Sequence, residues 1–270
     1  DHITPGKGNA IYSLKCRNVE TGKQSEVRFR SGEKVDIIRV DEYEMQYLYS
    51  EGDSLVCMNQ ETYDQIPIPK TIFGEAVQFL KEGNQRFVGN LKANRDLLEQ
   101  VNATREGQWP FAVVLSCIDS RTSAELIFDQ GLGDVFSIRI AGNFVNQDIL
   151  GSMEFGCNVA GSKLIVVLGH SKCGALKGGL DAATIRETGM ENLKHLVDHF
   201  NPIIEEIITE GEERSSKNDD LLERLNVHNV KQTITDIRNQ SATLNQMEKD
   251  GKIKIVGANY NVETGIVSWL

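Results

Sequence analysis

Two short apolar runs, Phe111-Ala-Val-Val-Leu115 and Leu164-Ile-Val-Val-Leu168, each stop against a cluster of reactive side chains. Neither run alternates apolar with polar, which predicts strands buried on both faces, as in a parallel sheet covered by helices. The first opens onto Ser116-Cys117-Ile118-Asp119-Ser120-Arg121 and the second onto Gly169-His170-Ser171-Lys172-Cys173. Loops at the carboxyl ends of such strands are where open α/β sheets assemble their sites. The fold class that follows is α/β, a mainly parallel β-sheet flanked by helices, in which two thiols, an imidazole and a carboxylate meet at neighbouring strand ends.

The rest of the chain divides into two styles. Up to about residue 70 it has short alternating or aromatic runs between glycine-rich turns, among them Ser25-Glu-Val-Arg-Phe-Arg30 and Glu44-Met-Gln-Tyr-Leu-Tyr49, which predict antiparallel β structure. Ile66-Pro-Ile-Pro69 can neither continue a helix nor sit in a central strand. A boundary is therefore expected there, giving a small all-β segment over 1–70 and a second domain over 71–270. Beyond it, strands are predicted near 110–117, 135–141, 163–169 and 253–260. Helices are expected at 72–90, 121–129, 147–160, 172–180, 190–210 and 219–250, with a polar solvated loop over 210–220.

A formal net charge of −10 over 270 residues argues against a broad phosphate-binding surface, so nucleic acid is not an expected partner. No apolar run approaches the ~18 residues that span a bilayer. The opening Asp1-His-Ile-Thr-Pro5 does not read as a secretory leader, so neither membrane nor export is expected. Five cysteines without small-scaffold spacing suit a reducing compartment better than a disulfide framework, and a cytoplasmic location follows as the expectation.

Zinc suits a set of two thiolates and one imidazole because it is borderline soft and imposes no geometry of its own. Cys117, His170 and Cys173 would supply three ligands, the last two from one strand-to-helix turn. Asp119 would either take the fourth position or pair with Arg121 and leave that position to water. A bidentate Asp119–Arg121 bond would hold the carboxylate off the metal with an oxygen free as an acceptor. Cys16, Cys57 and Cys157 read instead as small buried hydrophobes. Gly169-His-Ser-Lys-Cys-Gly174 is not a phosphate loop, since Ala175 and Leu176 stand where lysine and a hydroxyl residue belong. Gly131, Gly133 and Gly142 do not make a dinucleotide fingerprint and read as turn and close-packing glycines.

At these residues the chain resembles the β-class carbonic anhydrases, whose hallmark is Cys-x-Asp-Ser-Arg followed by His-x-x-Cys-Gly. The resemblance extends to Glu82-Gly-Asn84, Arg86-Phe87, Asp134-Val-Phe136, Arg139-Ile-Ala-Gly-Asn143, Gly151-Ser-Met-Glu-Phe155, Gly257-Ala-Asn-Tyr260 and Thr264-Gly265, covering about 72–270. It implies reversible hydration of carbon dioxide to bicarbonate and a proton. Zinc would be held by Cys117, His170 and Cys173, and the hydroxide formed there oriented by Asp119 and Arg121. It also implies a homodimer or higher even oligomer, with 72–90 as an arm on the partner subunit. Hydrolysis of a carbon dioxide analogue such as carbon disulfide is the alternative on the same scaffold. His195, His199 and His228 fall in predicted helices and are read as surface residues, with no proton shuttle assigned.

Residues 1–70 resemble a different family. Pro5-Gly-Lys-Gly8, Arg30-Ser-Gly-Glu-Lys34, Met45-Gln-Tyr-Leu-Tyr-Ser-Glu-Gly52 and Asn59-Gln-Glu-Thr-Tyr-Asp-Gln65 are similar to the middle of bacterial elongation factor P. Lys7 would match the modified lysine at the tip that reaches into the ribosome. The match begins just before that tip and stops inside the second barrel, so the resemblance is to an incomplete piece, joined to the rest near 72–83. A ribosome-binding module in front of a passenger is the non-enzymatic alternative.

Overall fold

The computed structural model describes the strands of the front segment, residues 62–69 and residues 76–270. The chain forms two compact units, Asp1–Gly74 and Glu75–Leu270. In the first, β1 (His2–Ile3), β2 (Ile11–Arg17) and β3 (Gln24–Arg30) make one antiparallel sheet in that order. A second antiparallel sheet joins β4 (Met45–Glu51), β5 (Ser54–Asn59) and β6 (Gln65–Pro69), with a register shift between Tyr47 and Tyr49. Pro67 and Pro69 lie in β6, an edge strand, where a missing N–H costs no ladder bond. Lys7 and the expected junction at Thr71 lie outside the described residues, as do the side chains of Cys16 and Cys57.

The second unit opens with α1 (Ala76–Val88) and α2 (Leu97–Ala103), then alternates strands and helices: β7 (Ala112–Ser116), α3 (Ala124–Ile127), β8 (Val135–Arg139), α4 (Gln147–Glu154) and β9 (Leu164–His170). Six helices follow, α5 (Gly174–Leu180), α6 (Ala182–Glu187), α7 (Glu191–Asp198), α8 (Asn201–Ile207), α9 (Asp219–Gln240) and α10 (Ala242–Lys249). The unit closes with β10 (Lys254–Tyr260) and β11 (Val267–Trp269). The sheet order is β11-β10-β9-β7-β8, parallel throughout except for β11. From β7 the chain moves outward to β8, and then crosses back to add β9 and β10 on the other side. The reversal leaves a crevice beyond the carboxyl ends of β7 and β9.

Every residue of β7 and β9 is buried, which is why neither run alternates. On one face Val113, Leu115, Ile165 and Val167 pack with Val230 and Ile237 of α9, Leu244 and Met247 of α10, and Leu150 and Met153 of α4. On the other, Ala112, Val114, Leu164 and Val166 meet Val77 and Leu80 of α1 and Ala124 and Ile127 of α3. Each such aliphatic side chain, fully buried, stabilises the fold by about 1.5–3 kcal/mol.

The structure divides two of the expected helices. The 190–210 span breaks between α7 and α8 at His199-Phe200, where Pro202 starts the next helix. The 219–250 span breaks at Ser241, whose hydroxyl accepts the Leu244 N–H as an N-cap while its own N–H still reaches Ile237. The helix expected over 121–129 shrinks to α3, and the end of the 147–160 span is a wider turn of helix over Phe155–Val159. The short elements α2, α6 and β11 were not anticipated, although Asp96 caps α2 by accepting from Leu98 and Glu99. The polar 210–220 segment is a loop, but a pinned one. Arg214 donates to the Gly179 and Leu180 carbonyls, and Arg224 pairs with Glu212.

Candidate metal centre

Cys117 follows the last residue of β7, His170 ends β9, and Cys173 caps α5 three residues later. The β7–β9 register pairs Ser116 with Leu168, so both loops leave the sheet side by side. Among the described residues, Cys117, His170 and Cys173 form the group whose ligand atoms all lie within 4.8 Å of one another, and all three are buried. The two Sγ atoms are 3.9 Å apart. Two thiolates bound at ~2.3 Å to one tetrahedral ion would be about 3.8 Å apart.

The imidazole is already set as a ligand. Its Nδ1 is 3.0 Å from the Ser171 carbonyl, an acceptor, so the proton sits on Nδ1 and the Nε2 lone pair is free. That Nε2 is buried with no hydrogen-bond partner. A buried nitrogen left without a partner between two thiols is the environment a metal completes.

The two sulfurs behave as one unit. The Cys173 thiol beside it holds Cys117 well below the usual thiol range, helped by the Gly142 N–H, which lies 3.4 Å from its Sγ. The Cys117 thiolate and burial push Cys173 up, although the amides of Ala175 and Leu176 at the start of α5 oppose this. The pair therefore ionises once easily and a second time only against charge repulsion, which a cation relieves. Cys157, by contrast, is an inert buried thiol that burial pushes up to about 11.

Asp119 stands outside the three-residue group and is held by Arg121. The guanidinium donates from Nε to Oδ1 at 2.9 Å and from a terminal nitrogen to Oδ2 at 2.7 Å, and the Arg121 backbone N–H adds a third bond at 3.0 Å. This clamp keeps the Asp119 carboxyl well below the usual carboxylate range. Oδ1 accepts two of these bonds, so Oδ2, which accepts one, is the oxygen that retains a further lone pair.

Two residues of the site escaped the sequence reading. Arg139, at the end of β8, donates to the Cys117 carbonyl at 2.9 Å and the Asp119 carbonyl at 2.6 Å, tying down the loop between them. The Thr122 hydroxyl lies 2.9 Å from the same two carbonyls. An arginine at the carboxyl end of β8, directly after Val135-Phe-Ser-Ile138, was the available signal. Gly142 adds a backbone requirement, with φ at +81° and a position at which a Cβ would fall 2.3 Å from the Phe200 ring. Of the helical histidines, His195 is exposed, and His228 bonds back to the Arg224 carbonyl. His199 departs from the expected surface placement: it is half-buried and stacks on Phe144 at 4.0 Å between ring centres, beside the apolar cluster that holds Cys117 and Cys173.

The family comparisons divide the chain along its length. Residues 112–267 match the carbonic anhydrase family, residues 1–35 the KOW-like domain of elongation factor P and residues 40–88 its OB domain, which runs through α1. Over 87 residues the chain is 46% identical to elongation factor P of Carboxydothermus hydrogenoformans, a stretch that makes up 32% of this chain and spans 47% of that protein. Over 199 residues it is 34% identical to carbonic anhydrase 2 of Mycobacterium tuberculosis, covering 73% of this chain and 93% of that protein. Carbonic anhydrase of Mycolicibacterium smegmatis is 35% identical over 190 residues, 70% of this chain and 88% of its own length. Among solved structures, the β-carbonic anhydrase CcaA superposes with a TM-score of 0.56 at 27% identity, over 72% of this chain and 95% of that one. With the thiol–imidazole cluster at the crevice, and relatives matched along nearly their whole length, the chain belongs to the β-carbonic anhydrase family.

Proposed function

We propose that this chain catalyses the reversible hydration of carbon dioxide to bicarbonate and a proton, with Cys117, His170 and Cys173 holding a zinc ion. The observation that carries this is the buried, unpartnered His170 Nε2 beside two thiols 3.9 Å apart. When bound, zinc supplies Lewis acidity that brings the pKa of a water molecule toward about 7. The chain's own residues do the rest. Asp119, ionised because Arg121 holds it so, offers an acceptor lone pair that orients the attacking oxygen. Its attachment to Arg121 keeps it from taking the fourth ligand position. The apolar wall of Phe144, Leu176 and Phe200 behind the sulfurs keeps water away from them and strengthens every charge interaction at the centre.

The same reading assigns catalysis to residues 71–270. Residues 1–70 are assigned no part in this activity; they match a stretch that spans about half of the elongation factors they resemble. A homodimer or higher even oligomer is supported by the open edge of β8 and the exposed Phe155 and Val159 nearby.

Zinc content and stopped-flow hydration of the full chain test the proposal. About one zinc per chain is expected, with hydration abolished in Cys117→Ser and His170→Ala. A folded, metal-replete chain inactive from roughly pH 6 to 9 would overturn it, and a parallel assay with carbon disulfide separates the two substrates. Ribosome co-sedimentation should give no retention; firm retention through Lys7 would favour the translation-factor reading.

A further inference from the structure

Helix α9 buries an apolar face made of Leu222, Leu225, Val230 and Ile237, yet Asn226, Asn229 and Thr233 are wholly buried in the same layer. Buried amides are costly unless they bond to something the fold needs. Two of these side chains reach the turn between β8 and α4. Asn229 donates from Nδ2 to the Gly142 carbonyl at 2.8 Å, and the Thr233 hydroxyl reaches the Asn143 carbonyl at 3.4 Å. Gly142 and Asn143 both sit at positive φ, +81° and +44°, a turn that needs outside support. The N–H of Gly142 is the group that donates to the Cys117 sulfur.

We propose that Asn229 is a positioning residue for the metal centre, holding the Gly142 turn so that its N–H stays directed at Cys117 Sγ. The inference rests on the metal-holding role given above to Cys117. An N–H bond draws charge from a thiolate and fixes the direction of its remaining lone pairs, so Asn229 acts on the metal at two removes, through a carbonyl and a sulfur. Asn229 reaches the sulfur only through the Gly142 peptide.

Cobalt(II) substituted into the full chain gives the test, because its thiolate-to-metal charge-transfer absorption reports the charge on sulfur independently of turnover. Asn229→Leu keeps the volume and loses the donor, and Asn229→Ser is a second variant whose hydroxyl is too short to reach Gly142. The expected result is a band moved to lower energy, with metal affinity in a chelator competition falling roughly 10–100-fold. Ile237→Val, equally buried two turns along the helix and with no bond to the turn, should leave the band in place. Unmoved bands in the Asn229 variants, or an equal shift in Ile237→Val, would overturn the assignment and leave Asn229 a packing residue. A wild-type chain that gave no thiolate–cobalt band would overturn the metal-site reading itself and this inference with it.

Discussion

Replacing Gly142 by alanine should harm the second unit more than the same change at another left-handed glycine. At Gly142 the new methyl meets two penalties. A non-glycine residue at φ +81° costs about 1–2 kcal/mol. Its Cβ would also stand 2.3 Å from Phe200 Cζ and 3.1 Å from Cε1, so the ring would have to move. Phe200 is fully buried, edge-on to Phe144 and His199, and already close to the Cβ position of Gly179 on its other side. Overpacking against such a ring adds about 1–3 kcal/mol. The sum is about 2–5 kcal/mol, against about 1–2 for Gly161→Ala, where φ is +87° but nothing lies within 4 Å. The gain from a less flexible unfolded chain is the same at both sites and cancels in the comparison. Urea unfolding followed by tryptophan fluorescence reads the difference cleanly, because both tryptophans of the chain, Trp109 and Trp269, lie in the second unit. The midpoint of Gly142→Ala should fall about 0.5–1.5 M below that of Gly161→Ala. Equal midpoints would mean that Phe200 yields freely, and the packing argument for this turn would be refuted.

Three further outcomes follow from the site. Arg139→Lys should lower hydration without abolishing it, and with a smaller loss of metal, because an ammonium cannot bridge the Cys117 and Asp119 carbonyls as the guanidinium does; full activity in a paired rate and metal assay would count against that bridging role. Arg121 depresses the Asp119 carboxyl, so the pair's contribution to stability is complete above about pH 4 and is lost as pH falls further; Asp119→Asn should flatten that part of the acid-unfolding curve, and an unchanged acid limb would argue against the clamp. Chelation should lower the thermal midpoint of the wild-type chain but not that of His170→Ala, which scanning calorimetry with and without chelator would show.

The strands were legible because burial on both faces leaves an unbroken apolar run, and β7 and β9 lie within a residue or two of where those runs predict them. Their neighbours were legible to the extent that charge did not intrude. The helix breaks at Phe200 and Ser241 were hidden because apolar spacing continues across both, while the cause lies in a cap and a proline whose effect depends on the fold. The ligand trio could be read because thiol and imidazole are rare residue types placed at strand ends. Gly142 reads as a turn and close-packing glycine and is one, but Arg139, Thr122 and Asn229 could not be read in the same way. Their roles are hydrogen bonds to particular backbone carbonyls, 20 or more residues away for Arg139 and Asn229 and within the same loop for Thr122, and nothing about an arginine, a threonine or an asparagine says which carbonyl it will meet.

The geometry of the crevice also makes folding and metal binding one problem. The β7–β9 register brings Cys117 and His170 together, and without a cation that juxtaposition would be unfavourable. It buries an imidazole nitrogen with no partner, which costs about 1–3 kcal/mol, and sets two thiols where both cannot readily ionise. The cost would be offset by the apolar runs of β7 and β9, which are buried along their whole length. A cation reverses both unfavourable terms, giving Nε2 its partner and letting the second sulfur ionise. A cation held at the ends of the two fully buried strands would thus return a cost that the sheet can bear and that the exposed helices around it could not.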